Sequence, residues 1–192
     1  MATGQIAGAV FRTRALRFLR SLRARASSGS AALEFALIAP VFFLFLMGII
    51  ETGVIFFGTS TLQFAADDVA RQVRTGQVQS ANLTAAQFRT IVCNDIGPML
   101  GCNANLQIDV ETFSNFTGAS MAPPLDANGN LNPNLNNFNP GSACQVGVIR
   151  LFYTWHVITP LMQPLLSNLP GGNHLLTASG AFRNEPFSGT SC

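Results

Sequence analysis

The chain contains no lysine, and charged residues of any kind are scarce. Only 10% of its 192 residues are charged, whereas 48% are hydrophobic, and it has one Trp, one Tyr and two His. The histidines, His156 and His174, lie apart from each other, and no nucleophile elbow, P-loop, pair of carboxylates or metal-ligand spacing accompanies them. These absences predict that the chain is not an enzyme and requires neither a cofactor nor a metal.

The positive charge that the chain does carry is concentrated near its N-terminus. Six of the eleven arginines precede the first acidic residue, Glu34 (Arg12, Arg14, Arg17, Arg20, Arg23 and Arg25). The remainder has five arginines against nine acids and no basic patch, so nucleic acid is not an expected partner. A basic helix that binds nucleic acid would account for the arginines, but not for the apolar segment that directly follows them.

That apolar segment is long enough to span a membrane. Phe35 to Ile50 is a run of sixteen residues without a charge, and Glu51 alone separates it from the apolar residues before Gly58. As a helix, residues 35–58 would be roughly 36 Å long, which exceeds a hydrocarbon core of ~30 Å. A helix in a soluble core is rarely apolar on every side over such a length, so a membrane span is predicted. The arginine flank places the N-terminus in the cytoplasm and the rest of the chain outside, and Pro40 predicts a kink.

The hydrophobic pattern changes after Gly58. Small and aliphatic residues recur at helical spacing from Leu62 to Val73, with polar residues on the other faces. This pattern predicts that the helix continues beyond the membrane to about Arg74 and that Gly76 ends it.

The junction between the arginines and the span carries a motif. Gly29-Ser30-Ala31-Ala32-Leu33-Glu34-Phe35 resembles the prepilin-peptidase site of type IV pilins, in which cleavage after a glycine leaves glutamate at the fifth position of the mature chain. The resemblance implies that Gly29 is the last leader residue, Ser30 the new N-terminus and Glu34 the fifth residue. It also implies that Glu34 neutralises the α-amino group of a neighbouring subunit, because a buried charge needs an opposite partner.

A longer stretch resembles one particular family. Glu34-Phe35-Ala36, Pro40, Gly48, Glu51 and the alanine- and arginine-containing segment 65–74 are similar to the N-terminal signature of TadE-like proteins. These are minor pseudopilins of the Flp/Tad tight-adherence pilus, and the ending R-N-E-P-F at residues 183–187 is similar to theirs as well. For Glu51 two interpretations stay open. One is snorkelling or a hydrogen bond, and the other is a contact with another subunit.

The resemblance implies both a domain organisation and a function. Residues 1–29 would be a basic cytoplasmic leader, 30–75 a transmembrane and extended helix, and 76–192 a periplasmic head. The chain would be a minor pilin of a Tad/Flp-type apparatus, a single-pass protein of the bacterial inner membrane that is processed by a prepilin peptidase and associates with pilin subunits or other Tad components. Because the leader is longer and more basic than a short pilin leader, an alternative is an uncleaved single-pass envelope protein whose head binds a ligand or a protein partner.

The four cysteines all follow the span, on the side that is expected to be oxidising. An even number in that compartment predicts disulfides, for which three pairings exist. We favour Cys93–Cys102, which would close a short loop, and Cys144–Cys192, which would tie the C-terminus to a strand. A zinc site is the alternative, but the spacing is not that of tight zinc ligands and the histidines are elsewhere.

The remaining pattern predicts an α+β head with an antiparallel sheet of about three or four strands. A short helix with Thr84 as its N-cap is expected to run to about Asp95. Strands are expected at Leu106–Phe113, Gln145–Ile158 and Leu175–Arg183. Residues 115–143, rich in Asn and Pro, are expected to form an exposed loop. Within this loop, Asp126-Ala-Asn-Gly-Asn130 resembles the start of a calcium loop, but its glycine is misplaced and the closing glutamate is absent.

Overall fold

A helical N-terminal part is followed by a mixed α and β part. The structure, a computed structural model, describes residues 4–119, 121–187, 189 and 191–192, and it describes side chains from residue 29 onward except that of Pro98. The first three residues of the predicted leader lie outside the described residues. The elements in chain order are α1 (Gly4–Arg74), α2 (Gln77–Ser80), α3 (Ala85–Leu100), β1 (Leu106–Phe113), β2 (Val146–His156), a 3-10 turn (Pro160–Met162), α4 (Gln163–Leu166) and β3 (Asn173–Arg183).

The chain divides into two units, residues 1–47 and residues 48–192. The described part of the first unit is helical and belongs entirely to α1. The second unit contains the end of α1 and all later elements, and we call it the head unit. The α+β head with a three-stranded antiparallel sheet and disulfides confirms the predicted fold class.

Within the head unit, α1 buries one face against the sheet. The fully buried residues of this face recur three or four positions apart, which is the spacing of one helical stripe (Leu62, Ala65, Ala66, Val69 and Val73). The helix ends at Arg74, and Gly76 adopts a left-handed conformation with φ of 77°. A side chain at Gly76 would also collide with the ring of Phe187, since an added Cβ would lie 2.7 Å from it. The predicted end of the helix is therefore confirmed.

Helix α3 begins at the predicted cap. The Thr84 side chain accepts a hydrogen bond from the Gln87 backbone N–H, and the Gln87 side chain accepts one from the Thr84 backbone N–H. These two bonds form a capping box, which satisfies backbone donors that would otherwise lack partners at the helix start. The helix extends to Leu100 rather than to about Asp95, with a break at Gly97, where φ is 60°.

The sheet has the strand order β1-β2-β3, and both pairs are antiparallel. The three predicted strands are confirmed with small differences at their ends. Leu106 pairs with Tyr153 at one end of the sheet, and Phe113 pairs with Val146 at the other. The inner face contributes alternate residues to the core that α1 and α3 cover (Leu106, Ile108, Val110, Ile149, Leu151, Tyr153, Leu176 and Ala178).

The outer face of the sheet is covered by the Asn- and Pro-rich loop. The described part of residues 115–143 is a mostly exposed or half-buried loop, but the prediction of an exposed loop does not hold for Leu135, which is fully buried in a second apolar cluster with Phe152, Leu169 and Leu175. Near the edge of β1, Phe138 of the loop packs instead on Phe88 of the inner core, with ring centroids 5.1 Å apart. The loop thus shields strand β2 on its second face, so that eight consecutive residues of β2, from Val146 to Tyr153, are buried.

The calcium-like stretch of this loop is a tight turn. The Asp126 carboxylate accepts hydrogen bonds from the backbone N–H groups of Asn128 and Asn130, each at 2.8 Å. These donors, with that of Asn130 first, lower the pKa of Asp126. The spacing of Asp and Asn is therefore explained by turn chemistry, in which an Asp side chain bonds the backbone that follows it.

Two disulfides join the cysteine pairs that the sequence favoured. Cys93, in the middle of α3, is bonded to Cys102 just beyond the end of that helix, with their Cα atoms 5.3 Å apart. Cys144, two residues before the start of β2, is bonded to Cys192 at a Cα separation of 5.5 Å. The second bridge fixes the chain end beside the entry to the central strand.

Candidate processing and assembly site

The residues of the pilin-like motif lie on α1. Ser30 and Glu34 are exposed and one helical turn apart, and the Ser30 hydroxyl donates a hydrogen bond of 3.2 Å to a Glu34 carboxylate oxygen. Among the described residues, this hydroxyl is the only hydrogen-bond partner of Glu34. The carboxylate therefore lies beside the residue that would become the N-terminus if the chain were cut after Gly29.

Helix geometry gives no reason for glycine at position 29. A Cβ added to Gly29 would meet no described atom within 4 Å, and its φ is not left-handed. In contrast, a Cβ at Gly48 would lie 3.2 Å from the end of the Met162 side chain, and one at Gly58 would lie 3.1 Å from Leu176. Packing therefore explains why positions 48 and 58 are glycine. It does not explain why position 29 is glycine.

The apolar segment of α1 is exposed on all sides. Side chains around the whole helix have at least half of their surface exposed (Leu33, Phe35, Leu37, Ile38, Val41, Phe42, Phe43 and Phe45). In the described part of the chain, one helix, Gly29–Arg74, is long and apolar enough to cross a membrane. An apolar surface of this size needs lipid or protein around it, because contiguous exposed apolar patches are rare on soluble monomers.

Glu51 is buried and has partners within its own chain. Its side chain is only 5% exposed. One carboxylate oxygen accepts a hydrogen bond from the Ile158 backbone N–H, and the other accepts one of 3.0 Å from the Thr159 backbone N–H. Of the two interpretations left open by the sequence, the structure shows hydrogen bonds within the same chain. The carboxylate acts as an acceptor that fixes the chain just after β2.

Gly48 and Glu51 act on the same stretch of the head. They are three positions apart and therefore lie on one face of α1. Gly48 gives room to Met162, and Glu51 binds the backbone at residues 158 and 159. We call residues 157–166 the docking segment. The G-I-I-E sequence of α1, residues 48–51, thus forms the surface to which this segment binds. We call this surface the seat of the docking segment.

Residues 29–71 match the family model described as TadE-like protein. Over these residues the chain is similar to TadE-like proteins. The match includes Gly29, Glu34, Gly48 and Glu51, and it ends three residues before α1 does. No curated protein and no solved structure matches the chain. The TadE-like segment therefore contains both the pilin-like motif and the seat for the docking segment, while the sheet lies outside the match.

The TadE-like helix lies alongside β3 through the head unit. From the seat of the docking segment onward, Gly58 contacts Leu176, and Gln63 exchanges two hydrogen bonds with the backbone of Ser179. At the end of the helix, the Arg74 carbonyl accepts a hydrogen bond of 2.9 Å from the Glu185 N–H. Gln63 thereby pairs with backbone groups of an edge strand, which would otherwise be open to another chain.

Sequence reasoning missed a charged cluster on the outer face of the sheet. Asp109 and Arg150 are direct cross-strand partners, and Asp109 is only 1% exposed. Arg150 Nε donates to Asp109 at 3.0 Å, and Arg150 Nη2 lies 3.2 Å from a Glu111 carboxylate oxygen. Asn137 donates to the other oxygen of Asp109 at 2.9 Å. Burial, followed by the neighbouring Asp109 charge, raises the pKa of Glu111. The cluster anchors the loop on β1 and β2.

A second missed acid lies between α1 and α3. One Asp95 carboxylate oxygen is buried and has no hydrogen-bond partner among the described residues. Burial, with a smaller contribution from the charge of Asp68, raises the pKa of Asp95. Asp95 has no sequence signal, because its burial follows from the packing of two separate helices.

The histidines do not form a site with other groups. His156 is exposed at the end of β2, where its Nδ1 lies 3.1 Å from an oxygen of Asn173. His174 is half-buried and hydrogen-bonded to the Leu166 carbonyl. Within the described ranges, no three His, Cys, Asp or Glu side chains come together as metal ligands.

Proposed function

We propose that this chain is a minor pilin, or pseudopilin, of a Tad/Flp-type pilus assembly apparatus. It consists of a leader over residues 1–29, an assembly helix over 30–75 and a head over 76–192. A prepilin peptidase cleaves the chain after Gly29, and the exposed apolar helix then packs among other pilin subunits or Tad components. The proposal involves no catalysis by this chain. The observation that carries it is the TadE-like segment, with its processing motif followed by a helix that is apolar on every side.

The environment of Glu34 supports a role in assembly. A carboxylate in an apolar environment is unfavourable unless an opposite charge or hydrogen bonds compensate it. Here its one partner in the described chain is the hydroxyl of Ser30. Cleavage after Gly29 would create an α-ammonium group at Ser30. A carboxylate one turn away could then pair with the ammonium group of its own chain or with that of an adjacent subunit.

The proposed location is the bacterial inner membrane. The arginine flank places the N-terminus in the cytoplasm by the positive-inside rule, and the head follows on the periplasmic side. The two disulfides support this orientation, because disulfides persist in oxidising compartments such as the periplasm.

The test is the intact mass and N-terminal sequence of the chain after co-expression with a prepilin peptidase. The proposal expects a new N-terminus at Ser30. Gly29→Phe should abolish the cut, because the open space around Gly29 admits the side chain without disturbing the helix. Gly53→Phe is the matched control, since an added Cβ at Gly53 also meets nothing within 4 Å. This control should be cut like the parent chain.

A full-length chain, under conditions that process a known pilin, would contradict the proposed processing. The uncleaved single-pass envelope protein would then be the better description. In that case Glu34→Ala should leave the function of the head intact, whereas a pilin that assembles through Glu34 should lose assembly.

A further inference from the structure

The docking segment presents three exposed apolar side chains. Ile158, Leu161 and Leu165 are 71%, 74% and 77% exposed. Single exposed apolar residues need no explanation, but here three occur within eight positions of one short segment. The same segment is fixed to α1 by Glu51 and Gly48, so these side chains are held beside the TadE-like helix.

Contacts along α1 define which end of the head carries this segment. Gly48 and Glu51 contact the docking segment, whereas Arg74 contacts Glu185, beyond β3. The docking segment therefore lies at the end of the head from which α1 enters. On that end α1 also exposes apolar side chains, including Ile49 at 70% and Ile50 at 51%.

The position of Glu51 along the helix sets the expected depth of the segment. If α1 enters the hydrocarbon at Phe35, Glu51 lies about 24 Å further along the axis, within a core of about 30 Å. An element bound at Glu51 therefore lies at the level of the outer leaflet. Counting along the sequence places the docking segment beside lipid rather than in the periplasm.

The composition and the backbone hydrogen bonds of the docking segment are compatible with a position in the outer leaflet. From Leu151 to Phe182 the sequence contains no Asp, Glu, Lys or Arg. Unpaired backbone groups are unfavourable in an apolar medium, and here most donors are either absent or engaged. Positions 160 and 164 are prolines without an N–H, and two N–H groups donate to Glu51. Others donate to nearby carbonyl oxygens (Val157 to Gly172, Met162 to Thr159, and Gln163 to Pro160).

We propose that the docking segment inserts Ile158, Leu161 and Leu165 into the outer leaflet of the membrane that α1 spans. Glu51 then serves two purposes, because its own charge is compensated by the backbone N–H groups that it holds. The head would thus rest on the bilayer at two points, the helix and the segment. This inference depends on the membrane residence of α1 that is part of the proposed function.

Lipid is favoured over a protein partner because the docking segment and α1 both expose apolar side chains at the same end of the head. Within the head unit, the exposed side chains of the segment lie at the same end as the exposed Ile49 and Ile50 of α1, so one medium can cover both surfaces. An element in the interface typically buries its apolar face 5–10 Å into the boundary between headgroups and acyl chains, roughly the depth expected here. Contact with a second copy of the chain is the competing outcome of the test.

The experiment places single tryptophans in the full chain and measures quenching by lipids. The native Trp155 is replaced by Phe, which removes an indole N–H without a partner among the described residues. Leu165→Trp then reports on the docking segment and Phe45→Trp on the apolar helix. Phe116→Trp is the control, because it is an exposed aromatic beyond Phe113, at the opposite end of the sheet from His156. Each variant is reconstituted into phosphatidylethanolamine and phosphatidylglycerol vesicles, with or without nitroxide-labelled acyl chains.

For insertion to the depth typical of interfacial elements, the nitroxide lipids should reduce the fluorescence of the Leu165→Trp variant roughly twofold or more. The Phe45→Trp variant should be quenched as well, and the Phe116→Trp variant should not. Quenching at position 45 without quenching at 165 would overturn the present inference and leave the membrane helix in place. If position 45 is not quenched either, the membrane residence assumed in the proposed function fails.

Protein contact gives a different result from lipid contact. If a second copy covered the segment, the emission of the Leu165→Trp variant would depend on the protein-to-lipid ratio and resist the nitroxide. That result would also overturn the inference. Correct folding of each variant is verified by the retention of both disulfides on a non-reducing gel.

Discussion

Removing the Glu51 carboxylate should release the docking segment from α1. Glu51→Ala leaves the N–H groups of Ile158 and Thr159 without an acceptor, in a place where Glu51 itself is only 5% exposed. An unsatisfied buried donor typically costs about 1–3 kcal/mol, so two partly buried donors suggest a loss of about 2–4 kcal/mol in the local stability of the segment. Glu51→Gln keeps one acceptor oxygen and should lose about half as much.

The assay is amide hydrogen exchange of the full chain in lipid nanodiscs, followed by mass spectrometry. A local loss of 2 kcal/mol corresponds to roughly 30-fold faster exchange at residues 158 and 159, since about 1.4 kcal/mol is a factor of ten. The core of β2 should exchange at its original rate. Glu34→Gln is the matched control, because Glu34 is exposed and bonded only to Ser30 in the described chain.

Two results would refute this reasoning. If exchange at 158 and 159 stayed within roughly twofold of the parent rate in Glu51→Ala, the carboxylate would not be holding the segment, since the expected local loss corresponds to a factor of ten or more. If exchange rose equally in β2, the effect would be global unfolding rather than release of one segment. Glu51→Gln should fall between the parent chain and Glu51→Ala.

Three further predictions concern the packing of the head. Arg150→Met leaves Asp109 buried without its ionic partner and should lower the free energy of unfolding by about 3–5 kcal/mol, and Asp109→Leu in the same chain should restore most of the loss, as measured by urea denaturation. Because burial raises the pKa of Asp95, the folded state binds the proton more tightly, and this residue's contribution falls as the pH rises above about 4. Asp95→Asn should therefore flatten this pH dependence and stabilise the head at pH 7, as measured by urea denaturation at several pH values. Gly58→Val should destabilise it by about 1–3 kcal/mol in thermal unfolding, because the added side chain meets Leu176. A Tm at or above that of the parent chain would contradict that packing.

Local patterns in the sequence were sufficient to predict the helices and strands. They were not sufficient to predict that α1 binds the docking segment. The end of α1 at Arg74 and the Thr84 cap depend on residues within a few positions, and the structure confirms both. Glu51 instead binds residues 107 and 108 positions away. No periodicity contains that information, and the sequence accordingly left the role of Glu51 open.

The composition of β2, rather than a local motif, indicates that the outer face of the sheet is covered. In β2 the apolar residues do not alternate with polar ones, which is typical of a strand buried on both faces. Arg150 is the single charge in that run, and a buried charge requires a partner. Together these observations indicate a cover and an acid opposite Arg150. The identity of the cover depends on how residues 115–143 fold back, which their Asn- and Pro-rich composition does not specify.

The side-by-side course of α1 and β3 determines how the head would bear tension. Contacts occur at Gly58, Gln63 and Arg74 in the same order as their partners on or just beyond β3, so the two elements run in the same direction. A force that pulls α1 along its axis, away from the head, would load these contacts in shear and nearly at once. Such an arrangement resists pulling better than one in which contacts open singly. The head unit is therefore suited to transmit mechanical load from α1 to the sheet.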